Sequence, residues 1–148
     1  MMKRNVVLGV VAASVLSACT MMGQPRTLAF KHNPTPADPM AAGTAMVMTK
    51  ADGMVTTTLT LTGLTPGKTY ASHYHAFGPD SNTDPCASNG PVTVGFPPFT
   101  ADASGRGTTS VTNEMAKIAG DLGAYINVHH GDALSVVPVC APIKMTKG

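Results

Sequence analysis

Val55, Thr57, Leu59 and Leu61 alternate with Thr56, Thr58, Thr60 and Thr62 over eight consecutive residues. Side chains of a strand point to opposite faces in turn, so this run gives one apolar face and one hydroxyl face. The alternation returns in Leu122–His129, where Leu122, Ala124, Ile126 and Val128 share a side. Between such runs stand turn-forming clusters: Ala51-Asp52-Gly53, Gly63-Leu64-Thr65-Pro66-Gly67, Asp102 to Gly107 and Gly131-Asp132. Pro presets φ and Gly accepts positive φ, so each cluster reverses the chain. The pattern predicts strands at Thr44–Lys50, Val55–Thr62, Thr69–Phe77, Phe99–Ala101, Thr108–Thr112, Leu122–His129 and Leu134–Val139, with a short first strand at Thr27–Lys31. Asp52-Gly53 and the Asp102–Gly107 cluster read as hairpin turns. Gly78 to Pro98 reads as one long loop, and Asn113–Asp121 has room for one helical turn. Seven or eight short strands make an all-β, antiparallel Greek-key sandwich or barrel.

Composition excludes the competing classes. Charged residues make up 12% of the 148, too few for the exposed faces of a helical bundle, and 43% hydrophobic residues are too many for a disordered chain. There are 10 basic and 8 acidic residues; without Lys3 and Arg4, which precede the apolar run Val6–Leu16, the balance is 8 against 8. A neutral domain lacks the positive field that nucleic acid requires.

Met1–Ala18 reads as an export signal: two basic residues, an eleven-residue apolar run too short to span a bilayer, then small residues. Leu16-Ser17-Ala18-Cys19 is similar to a bacterial lipobox, in which the cysteine carries the lipid. The expected organisation is a signal over 1–18, a lipidated Cys19 with a Pro-rich tether over 19–41, and a sandwich domain over 42–148. The expected location is the bacterial cell envelope, with the lipid holding the chain to a membrane. Setting Cys19 aside leaves Cys86 and Cys140. In an oxidising compartment an even pair reads as a disulfide ahead of two free thiols or a thiolate metal site. Closing that 54-residue loop is worth about 4 kcal/mol in the chain-entropy model.

The histidines are placed unevenly. His73 and His75 stand two apart on one strand and share a face, and parity puts Tyr125, Asn127 and His129 opposite the apolar side of theirs. The reading is that two strands present His73, His75 and His129 outside the core, close enough for one transition-metal ion. His130 has the other parity and joins them only through a bulge at Gly131. Met46 and Met48, on one face, are soft thioether donors, His32 could reach in from the tether, and Asp132 could orient His129.

Three blocks carry a resemblance. Gly63-Leu64-Thr65-Pro66-Gly67 with His73-Tyr74-His75-Ala76-Phe77-Gly78, Cys86-Ala87-Ser88-Asn89-Gly90-Pro91, and Val128-His129 with Cys140-Ala141-Pro142-Ile143 are together similar to the copper/zinc superoxide dismutase family. The resemblance implies a dismutase-like fold, copper on His73, His75 and His129, and a disulfide between Cys86 and Cys140. Its departures imply no zinc site. Val92 stands where the family has its bridging His, Val137 where it has its Arg, and ten residues between His129 and Cys140 leave no room for a charged guiding loop. The resulting expectation is an exported copper-binding lipoprotein with little dismutase activity. A copper-only superoxide dismutase is the enzyme alternative. The second alternative is a metal-free interaction module, since the sequence is also similar to chordin-type domains.

Overall fold

The computed structural model describes residues 23–33, 38–78, 84, 86–87 and 90–143. The export signal, Cys19 and part of the tether fall outside the described residues. The strands, in chain order, are β1 (Arg26–Ala29), β2 (Lys31–His32), β3 (Ala42–Thr49), β4 (Met54–Thr62), β5 (Thr69–Ala76), β6 (Val92–Gly95), β7 (Phe99–Thr100), β8 (Gly107–Glu114), β9 (Ala124–His130) and β10 (Val139–Ile143), with a single helical turn, α1 (Met115–Ile118), between β8 and β9. One sheet runs β1-β3-β4-β8. The other runs β2-β10-β9-β5-β6, with β7 also paired to β5. All pairings of the named strands are antiparallel. The sheets stack as an all-β sandwich rather than a closed barrel.

The core follows from the alternation. Val55, Thr57, Leu59 and Leu61 of β4 face inward, as do Ala45 and Val47 of β3, against Tyr70, Ser72 and Tyr74 of β5. From the rest of that second sheet come Ala124, Ile126 and Val128 of β9, with Val139, Ala141 and Ile143 of β10. Each fully buried aliphatic side chain stabilises the fold by about 1.5–3 kcal/mol. Two inward polar groups satisfy each other, Thr57 Oγ1 bonding Tyr74 Oη across the sandwich.

Several expectations need correction. Val92–Gly95 is a strand, not loop: it pairs with β5 opposite His73–His75, past a bulge at Tyr74/His75. Two prolines at 97 and 98 and glycines on either side hid its three-residue alternation. Asp102–Gly107 is a turn but no hairpin, because β7 before it pairs with β5 and β8 after it pairs with β4, in the other sheet. The last strand is Val139–Ile143; Leu134–Val136 is a turn closed by Val136 N–H on the Ala133 carbonyl. Within the segment read as tether, Arg26–Ala29 pairs with Thr44–Val47 and Lys31–His32 with Val139–Cys140, so the sheets already begin at Arg26.

Candidate functional site

Strands β5 and β9 lie side by side, and their register builds the site. On the face away from the core, Ala71 is opposite His129, His73 opposite Asn127, and His75 opposite Tyr125. Cys140 of β10 comes next, opposite Asn127. Its disulfide to Cys86, with the two Cα atoms 5.3 Å apart, holds Cys86 over this face, and Gly90 lies over it too. The structure joins the same two cysteines that the sequence leaves as a pair.

That cover changes one expectation. The histidine face was read as lying on the outside of the sandwich, yet every residue of β9 is buried, His129 being 6% exposed. A pocket of about 400 Å³ remains, lined by His75, Cys86, Gly90, Asn127, His129, Leu134, Ser135 and Val137. Parity predicts direction; it carries no information about a loop folding back over a strand's second face.

The three imidazoles meet. One ring nitrogen from each of His73, His75 and His129 lies within 4.8 Å of the others. Ring centroids are 5.3 Å apart for His73 and His129, 5.8 Å for His75 and His129, and 6.1 Å for His73 and His75. Two rings are oriented from behind. The Nδ1–H of His75 donates to the Gly90 carbonyl at 2.8 Å, and that of His129 to the Leu134 carbonyl at 2.5 Å. Carbonyls only accept, so both tautomers carry the proton on Nδ1 and turn Nε2 inward. His73 Nδ1, His75 Nε2 and His129 Nε2 are buried and have no hydrogen-bond partner.

Electrostatics disfavour the charged form of two of the rings. Burial pushes His129 down to about 4, against the opposing effect of the Leu134 bond and with help from His73 and His75. Burial also lowers His73, aided by His75. Neutral imidazoles with inward lone pairs are the form that takes a metal ion. An ion at about 2.0–2.1 Å from each donor needs them no more than about 4 Å apart, so small ring rotations suffice.

Gly90 deserves its place. A Cβ there would stand 1.8 Å from the Ala76 carbonyl oxygen, so only glycine lets the loop reach His75. Its N–H donates to Tyr125 Oη at 2.8 Å, and the Tyr125 ring stacks on His75 at 5.1 Å.

The other residues singled out in the sequence lie elsewhere. His130 turns to the core side, where Nε2 is 2.8 Å from Asp38 Oδ2. His32 Nε2 is 3.2 Å from the Asp38 carbonyl. Met46 and Met48 belong to β3, in the opposite sheet. Asp132 pairs with Lys68 at 3.3 Å, so the group that orients His129 is the Leu134 carbonyl. The sequence reading missed three contributors: the Gly90 and Leu134 carbonyls and the Asn127 amide. Of these, Gly90 had a signal in the Cys86–Pro91 block and Asn127 in the parity it shares with His129, and Leu134 had none.

An antiparallel sandwich with a covered histidine pocket on one sheet defines the class. Within it, the family model of the CHRD domain matches residues 26–133. The chain belongs to the CHRD domain family.

Membership overturns the dismutase resemblance, and the dismutase-like and copper-binding labels borrowed from it are withdrawn. The physical reason lies in what the matching blocks encode. A Gly-Leu-Thr-Pro-Gly turn, alternating strand residues and a cysteine pair specify a sandwich. The residues that specify dismutation are those replaced here: Val92 pairs with His75 as an exposed strand residue, and Val137 merely lines the pocket.

Proposed function

We propose that this protein is a CHRD sandwich that acts by binding rather than by turnover, held at an envelope membrane by a lipid on Cys19. Family membership over residues 26–133 carries the reading. It is supported by a groove of about 440 Å³ lined by Thr60, Leu61, Thr62, Thr100, Asp102, Arg106, Gly107 and Thr108. The lipid rests on the Leu16–Cys19 motif. Two measurements on full-length protein extracted from membranes test this. Labelled palmitate should enter the wild type and not Cys19→Ser. Metal analysis should find far less than one ion per chain; a stoichiometric ion would replace this reading with the next one.

One observation favours a second reading, in which the bound partner is a single transition-metal ion. Three imidazoles converge with buried, unpartnered nitrogens, and an unpartnered buried acceptor is costly by about 1–3 kcal/mol. His73, His75 and His129 would hold the ion, which brings Lewis acidity and charge to the pocket. Imidazole suits several first-row metals, so the ion follows from titration and not from ancestry. Copper and zinc titrations of the detergent-solubilised chain should each be compared with the triple alanine variant. Equal uptake by both proteins would remove this reading.

A further inference from the structure

Asn127 sits at the centre of the histidine face, between Tyr125 and His129 along β9 and between His73 and Cys140 across the sheet. It is 4% exposed and lines the pocket together with His75 and His129. Its Oδ1 is buried and has no hydrogen-bond partner. Side chains directly opposite in an antiparallel pair have Cβ atoms about 4.5–5.5 Å apart, which puts the amide beside the His73 ring. A strand position on a buried face is ordinarily filled by a β-branched or aromatic side chain. An amide there is anomalous unless its oxygen meets a ligand, because buried polar groups are otherwise paired.

We infer that Asn127 supplies a fourth donor, its amide oxygen, to the ion held by His73, His75 and His129. This rests on the second reading above and sharpens it. Three imidazole nitrogens and one amide oxygen form a mixed set that suits divalent ions such as Zn(II) and Co(II). The oxygen is a hard donor and adds little for soft Cu(I), which prefers thiolate and thioether ligands. The pocket therefore selects the divalent state of its metal. Proximity to the Cys86–Cys140 disulfide does not alter this, since both sulfurs are engaged in that bond.

The test uses full-length protein in detergent with Co(II), Zn(II) and Cu(I) as probes. Asn127→Val, which suits a strand, should weaken Co(II) and Zn(II) binding at least tenfold and leave Cu(I) within about threefold. Cobalt visible absorption bands should move in position and intensity as water replaces the amide. Asn127→Asp, which restores an oxygen donor with charge, should recover or exceed wild-type divalent affinity, and it keeps the test alive should the valine variant not fold. Unchanged divalent affinity in the valine variant overturns the inference while leaving the three-histidine site in place. No binding of any ion by the wild type removes the site itself.

Discussion

Leu134 holds His129 from behind: its carbonyl oxygen lies 2.5 Å from Nδ1 of the imidazole. Gly90 does the same for His75 at 2.8 Å. Two loops that touch only the backs of the rings thus decide which nitrogens face the pocket. Both histidines should be Nδ1–H tautomers in metal-free protein at neutral pH. Nitrogen chemical shifts in imidazole-selective NMR check this, and an Nε2–H form at either residue would contradict the geometry.

Acid should destabilise the metal-free protein through its buried histidines. His129, at about 4 when folded, has an ordinary value near 6.5 when unfolded. Between those values the unfolded chain binds a proton that the folded chain refuses, so stability falls as pH drops from about 6.5 toward 4. His73, shifted in the same direction by burial, adds to the loss. Urea midpoints at pH 7 and pH 4.5 measure it. In His129→Gln the decline over this interval should be smaller.

Asp38 anchors a buried network. Its Oδ2 receives Tyr70 Oη–H at 2.9 Å and lies 2.8 Å from His130 Nε2, while Oδ1 receives the Thr65 N–H at 3.0 Å and the Thr65 hydroxyl. Burial raises its pKa, but the bonds from Thr65, His130 and Tyr70 outweigh that and leave it below the usual carboxylate range. Asp38→Ala strands those donors, each at a cost of about 1–3 kcal/mol. Tyr70→Phe, which removes one bond, should cost about 1–2 kcal/mol. Coupling in the double variant would show one network and not two separate contacts.

Removing the crosslink should act twice. Cys86→Ser with Cys140→Ser gives up the chain restriction of a 54-residue loop, about 4 kcal/mol. It also frees the loop that brings the Gly90 carbonyl to His75. Thermal unfolding should fall accordingly, and the His75 ring signals should broaden or move in the folded protein. Gly90→Ala should reproduce the ring effect with the disulfide intact, because a methyl cannot sit 1.8 Å from the Ala76 carbonyl oxygen.

Much of this architecture was legible. Val55–Thr62 and Leu122–His129 announced strands because their alternation is long and strict, and Asp52-Gly53 marked the β3–β4 reversal that forms. The triplet His73, His75 and His129 was legible for the same reason, since parity alone places the three on one side of a sheet. β6 was not, because four residues between prolines and glycines carry too little period to register. Nor was the burial of Tyr125, Asn127 and His129, over which Cys86, Gly90 and Leu134 lie. Family identity misled for a related reason: short motifs shared by sandwiches pointed to chemistry whose own residues had been replaced.

A single residue, Phe30, joins β1 in one sheet to β2 in the other, and it is buried at 8% exposure. β2 pairs with β10, whose residues 139 and 140 lie more than a hundred positions later. The stitch therefore waits on a strand far along the polypeptide: β2 finds its mate only once Val139 and Cys140 exist, and a product cut short before Val139 leaves that seam open.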